Sequence, residues 1–187
     1  GTLYTIASNF KSIGNLQWIP LKRSLTYRVL EILAKITARL LKRNITFTHS
    51  NIGARLLAKG VKRDLISNCD IIIGYWCSSC MGLLDLQEKP SILLSDATLP
   101  ALLDYYAPFS RLWKWNIRQG SALEETTMSK ASAVVLSSEW SRQSAIKDLH
   151  QSPDHIRVLE FGANISESDI KARHFSYQGV LHLLFLG

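Results

Sequence analysis

Three groups of residues in this sequence have the types and spacing to do chemistry. Trp76-Cys77-Ser78-Ser79-Cys80 sets two thiols three positions apart, after a strand-like run and before a helix-like one. A helix N-terminus lowers the pKa of a nearby thiol and makes it a nucleophile, so this spacing suits thiol redox chemistry. It equally suits two small, weakly polar residues lining the turn from strand to helix, both reduced inside a cell. Ser95-Asp96-Ala97-Thr98 follows the apolar run Ile92-Leu93-Leu94. A carboxylate at the carboxyl end of a parallel strand points toward the crevice where such sheets take ligands. Ser and Asp are also the residues that cap a following helix, and both readings stand. Thirdly, Trp113 and Trp115 are interleaved with Arg111, Lys114 and Arg118, a mixture that stacks sugars or nucleobases or simply packs on its own domain.

Other chemistries lack their signatures. There is no G-x-x-x-x-G-K-[ST], G-x-G-x-x-G, H-E-x-x-H or G-x-S-x-G, hence no phosphate cradle, zinc protease site or nucleophile elbow. Cys69, His49, His150 and His155 offer no ligand spacing, so no metal is expected. No RNP-type, KH or helix-turn-helix pattern supports nucleic acid as a partner.

The elements that must position these groups read as an α/β chain. Ala133–Leu136, the serine-capped run Ser138–His150 and Ile156–Phe161 form strand, helix and strand, one βαβ unit. Asp70–Tyr75 is an unbroken β-branched run without alternation, as in a central parallel strand covered on both faces. A helix is expected over Ile117–Lys130 and another from Leu99. Upstream, Leu3–Ser8 and Leu16–Pro20 read as neighbouring strands, and Asn44–His49 as a short strand or a connection. A helix over about Asn51–Ser67 is interrupted by Gly60. Ser24 caps a long helix to about Arg43, with Leu25, Val29, Ile32, Leu33, Ile36 and Leu40 as an apolar stripe and Arg28, Glu31, Lys35, Arg39 and Lys42 on the opposite side. Leu30, Ala34 and Leu41 widen the apolar arc. The stripe is expected to pack into the core, with a membrane interface as the other reading.

At 187 residues and 47% hydrophobic, the chain can bury a full core. No apolar run approaches the roughly 18 residues that span a bilayer, and the N-terminus lacks the order of a signal peptide, so a cytoplasmic protein is expected. Of the 22 Lys and Arg, twelve fall in residues 1–63 beside a single acid, Glu31; the remaining 124 residues hold ten basic and fourteen acidic residues. Such a basic end is either a solvated face or one attracted to an anionic acceptor or to anionic lipid at the inner face of the plasma membrane.

Taken together, "ILLSDATLPALLDYYAPFS", "IRQGSALEETTMSKASAVVLSSEWSRQSAI", "DHIRVLEFGANI" and "LHLLFLG" resemble family 4 glycosyltransferases of the GT-B type, at the junction where the first domain hands over to the nucleotide-sugar domain. The motifs cover Asp70–Gly187, whereas residues 1–69 match only in the order of elements. The resemblance implies a Rossmann-like parallel sheet with helices on both faces, truncated at both ends. Residues 1–163 would be the acceptor-side domain, lacking its first strand and helix, and 164–187 the linker and first strand of the next domain. It implies a retaining transfer of sugar from a nucleotide-sugar donor to a hydroxyl acceptor, with no metal and no cofactor in this part of the chain.

In that reading Asp96 and Ser95 sit at the reaction centre, Thr98, Tyr75 and Trp76 form the acceptor side, and Gly162 and Asn164 belong to the inter-domain crossing. Many relatives carry His-Asp where this chain has Ser95-Asp96, which removes an imidazole. The segment Gly1–Ile6 resembles the family's second strand, so a gap is expected between Leu3–Ile6 and Ile71–Tyr75. The alternative resemblance is to thioredoxins, with Cys77 and Cys80 as the redox pair; a thioredoxin domain, however, is much shorter and needs a cis-Pro loop facing the disulfide.

Overall fold

Unbroken runs of Ile, Leu and Val have no polar side to turn toward water, and in this chain they become the strands of a covered sheet. The computed structural model describes residues 14–86 and 88–160. Strands β1 (Ile72–Tyr75), β2 (Ser91–Ser95), β3 (Ala133–Leu136) and β4 (Ile156–Val158) form one sheet in the order β1-β2-β3-β4, every pair parallel. It is flanked by helices α1 (Leu25–Leu40), α2 (Asn51–Lys59), α3 (Arg63–Ser67), α4 (Leu99–Leu102), α5 (Lys114–Lys130) and α6 (Glu139–Asp148). The fold is α/β and Rossmann-like, as the sequence predicts. The register pairs Tyr75 with Leu94, Ser95 with Leu136 and Leu136 with Val158, so all four carboxyl ends share one edge.

Leu93, Val134, Leu136, Ala145 and Leu149 are wholly buried and form the centre of the core. Each large apolar side chain there contributes roughly 1.5–3 kcal/mol. Gly74 is required on β1, because a Cβ there would collide with the sulfurs of Met81 and Cys77.

Helix boundaries follow local chemistry. Ser24, Ser50 and Ser138 cap α1, α2 and α6 by accepting from backbone N–H groups three residues on. At its other end α1 closes with Lys42 N–H donating to the Arg39 carbonyl and Arg43 N–H to Ala38, a Schellman arrangement that puts Lys42 at φ 52°. That closure ends the helix at Leu40, short of the expected Arg43.

Four expectations are corrected. Leu16–Pro20 forms no strand; a five-residue run that closes on a proline, which has no N–H to donate, makes a poor ladder. The helix expected over Asn51–Ser67 is two, α2 and α3, parted at Gly60. The helix expected from Ile117 begins at Lys114.

The fourth concerns α1. Its stripe Leu25, Val29, Ile32, Leu33, Ile36 and Leu40 faces outward, each residue about half exposed or more. The helix packs instead through Tyr27, Leu30, Ala34 and Ala38, where small residues allow close approach and Tyr27 meets Phe47 edge to face at 5.0 Å. Leu3–Ser8, the crossing at 162–164 and the strand expected at Leu181–Leu186 lie outside the described residues, as does any gap beside β1.

Candidate functional site

The carboxyl edge of the sheet gathers the residues that the sequence singles out. Tyr75 ends β1, and Trp76 follows it at φ 53° with its side chain 68% exposed. The two rings stack with centroids 5.9 Å apart and planes 20° from parallel. Asp96, directly after β2, is exposed. It follows the strand that pairs with β1, Tyr75 lying opposite Leu94; burial first, and then the Asp96 charge, raise the Tyr75 phenol above its ordinary pKa. The Asp96 backbone is fixed from the turn after β3 and from α6, its carbonyl accepting from Ser137 Oγ at 2.9 Å and from Ser141 Oγ. Tyr75, Trp76 and Asp96 thus stand at the carboxyl ends of two neighbouring strands.

Ser95 and Thr98 are placed beneath it. Ser95 is buried and its Oγ donates to the Ala97 carbonyl at 2.8 Å. Thr98, with no exposed surface, shares a hydrogen bond of 2.7 Å with Ser144 Oγ and caps α4 by accepting from Ala101 N–H. The capping role considered for Ser95 and Asp96 therefore belongs to Thr98.

A further residue, not legible in the sequence, supports both loops of this edge. Glu124 on α5 is 2% exposed; one carboxyl oxygen accepts from Ser78 Oγ and the other from Leu99 N–H, both at 2.7 Å. His49 Nε2 lies 3.7 Å from the same group. Glu124 therefore ties the loop after β1, which carries Trp76, to the start of α4, which follows Asp96. Asn116, about two turns earlier on α5, is wholly buried and binds Thr46 and His49.

Tyr105, Tyr106 and Trp140 were also missed by spacing arguments. Tyr105 and Trp140 meet at 5.5 Å, Tyr105 and Tyr106 at 4.9 Å, and all three are about half exposed or more. Trp140 lies in the first turn of α6, next to the Ser141 that holds Asp96, so this aromatic group borders the same edge. Aromatic faces beside a carboxylate can stack on the apolar face of a ring while the carboxylate accepts from its hydroxyls.

Two concavities lie at the other edge of the sheet. One, of about 460 Å³, is lined by Ser129, His150, Gln151, Ser152, Asp154 and His155. Its polar groups are largely engaged with one another and with backbone, for instance His155 Nε2 with the Met128 carbonyl at 3.0 Å and Gln151 with Ser129 and the Leu149 carbonyl. The second, of about 490 Å³, lies among Asp85, Lys89, Ser91, Lys130 and Ser132. Neither carries exposed aromatics, so the carboxyl edge is the better candidate.

The cysteine pair sits badly for redox work. Cys77 and Cys80 are buried free thiols, and burial pushes them up to about 12 and about 11, the opposite of an activated thiolate. Among the described residues no peptide bond is cis and no group of three His, Cys, Asp or Glu is placed to hold a metal ion. Trp113 and Trp115 pack on each other at 5.7 Å where α5 begins. Gly162 and Asn164 lie outside the described residues.

Comparison with known proteins returns no family model, no curated protein and no solved structure that matches this chain.

Proposed function

We propose that this chain supplies the acceptor side of a glycosyltransferase that moves a sugar from a nucleotide-sugar donor to a hydroxyl acceptor. The observation that carries the reading is the placement of the exposed Asp96 and of the stacked pair Tyr75 and Trp76 at the carboxyl ends of adjacent strands of a parallel sheet. Ligands of such sheets bind at that edge, and a carboxylate beside aromatic faces is chemistry suited to a hydroxyl-bearing ring. In this reading Asp96 accepts the hydrogen bond of the acceptor hydroxyl, Trp76 stacks on the acceptor, and Ser95 and Thr98 act from below by fixing the loop. The donor would be held by a facing domain, and Gly162 and Asn164 would lie in the crossing toward it.

The test is nucleotide release by the intact gene product, incubated with a panel of nucleotide sugars and hydroxyl acceptors. Asp96→Asn is expected to lower the rate by about tenfold or more, the scale of a lost hydrogen bond to a charged group, while leaving the fold intact. Release that is absent with every donor, or unchanged in Asp96→Asn, would sink the reading.

A further inference from the structure

We infer that the outward face of α1 docks on an anionic lipid surface, the helix lying in the plane of the membrane. This does not rest on the glycosyltransferase reading. Successive helical residues turn by about 100°, which puts Leu25, Val29, Ile32, Leu33, Ile36 and Leu40 in one arc about 100° wide. These six side chains are between 48% and 78% exposed, the reverse of what a core helix shows. Tyr27 and Ala38, on the other side, are buried, and Leu30 and Ala34 pack on the core with them. The helix is therefore held by one face and presents its more apolar face to solvent. No described segment covers it.

Charge decides what would. Arg28, Lys35 and Arg39 line one flank of the stripe; Lys22 and Arg23 precede the helix and Lys42 and Arg43 follow it. The single acid of the region, Glu31, lies inward of that flank and is engaged by Arg23 at 3.6 Å and Lys35 at 2.8 Å. A second copy paired antiparallel along the same stripe would bring the basic flanks into contact, which is unfavourable, and a parallel copy would set each basic flank against the neutral Thr26 and Thr37 side, which holds no acid to answer it. An anionic surface has no such conflict. It receives the apolar arc among its acyl chains and the basic row at its headgroups, the arrangement of interfacial helices. No described helix is long and apolar enough to cross a membrane, so contact would be lateral.

Flotation of the 187-residue chain with vesicles tests this, using phosphatidylcholine alone and phosphatidylcholine mixed with phosphatidylglycerol. Binding is expected with the mixed vesicles and should fall at least tenfold between about 0.1 M and about 1 M salt, as the Debye length shrinks from about 10 Å to about 3 Å. Arg28→Gln/Arg39→Gln should weaken it roughly thirtyfold, at about a factor of five per side chain. Ile32→Glu/Ile36→Glu should abolish it with an unchanged circular dichroism spectrum and melting temperature. Three results overturn the proposal. They are binding that is absent or indifferent to phosphatidylglycerol, a dimer by light scattering that Ile32→Glu/Ile36→Glu dissociates, and a lowered melting temperature in that variant, which would mean that the chain itself covers the stripe.

Discussion

Trp76 holds a backbone conformation, φ 53°, that a bulky L-residue rarely adopts, and it does so with most of its side chain in solvent. An exposed ring repays little of that strain by burial, so its position serves something other than stability. A comparison of two truncations isolates the backbone cost. Trp76→Ala and Trp76→Gly both lose the stacking on Tyr75, and only the second relieves the left-handed strain. The Gly variant should therefore be about 1 kcal/mol more stable than the Ala variant in urea denaturation, the reverse of the usual order inside an element. Equal stabilities would mean that the strain is absent. Sequence could not show this, since W-C-x-x-C draws attention to its thiols and nothing in the spacing reveals that the tryptophan before them is the exposed member.

At the scale of elements, what could be read and what could not divide by the kind of face each element buries. Strands β1, β2 and β3 are legible because each is built on an apolar run, β4 because Ile156 and Val158 flank a single Arg157, and Ser24 and Ser138 announce α1 and α6 as caps. On α5 the buried positions are Asn116, Gly120, Leu123, Glu124, Thr127 and Met128, a largely polar face with no apolar period to detect. Periodicity therefore places its start three residues late, and Glu124 carries no sequence signal. On α1 periodicity found the stripe correctly and its destination wrongly, because a pattern of apolar residues says that a face is apolar and not what it faces.

Glu124 is where these elements are joined, and its two accepted hydrogen bonds from Ser78 and Leu99 are buried. Glu124→Gln keeps the size but turns an amide N–H₂ toward one of those donors. Stability should fall by about 1–3 kcal/mol, the cost of leaving a buried polar group badly paired. Denaturation curves for the parent and the variant measure it, and an unchanged midpoint would show that the clamp contributes nothing. If the carboxyl edge is the site, the same change should also weaken acceptor binding, because both loops that carry Trp76 and Asp96 lean on this residue.

For the molecule as a whole, three buried groups couple folding to alkaline pH. Burial lifts the thiol of Cys77 to about 12, with Cys80 adding to the shift, and lifts Cys80 itself to about 11, both from an ordinary 9.0. The Tyr27 phenol, wholly buried and without a hydrogen-bond partner among the described residues, rises to about 12, again mainly through burial. All three pKa values are higher folded than unfolded. The native chain therefore keeps protons that the unfolded chain releases, the stability contribution is complete below about pH 9, and it declines as pH rises toward 11–12. Each fully titrating thiol costs about 1.4 kcal/mol per pH unit, so the two together should remove roughly 2–3 kcal/mol between about pH 8 and about pH 10. The phenol, with its ordinary value of 10.0, begins to add to this loss near the top of that range. Urea midpoints across it should fall steeply for the parent and much less for Cys77→Ala/Cys80→Ala, whatever the absolute cost of the cavity in that variant. Parallel pH profiles for the two proteins would mean that the thiols reach solvent in the folded state, and would return Cys77 and Cys80 to consideration as reactive groups.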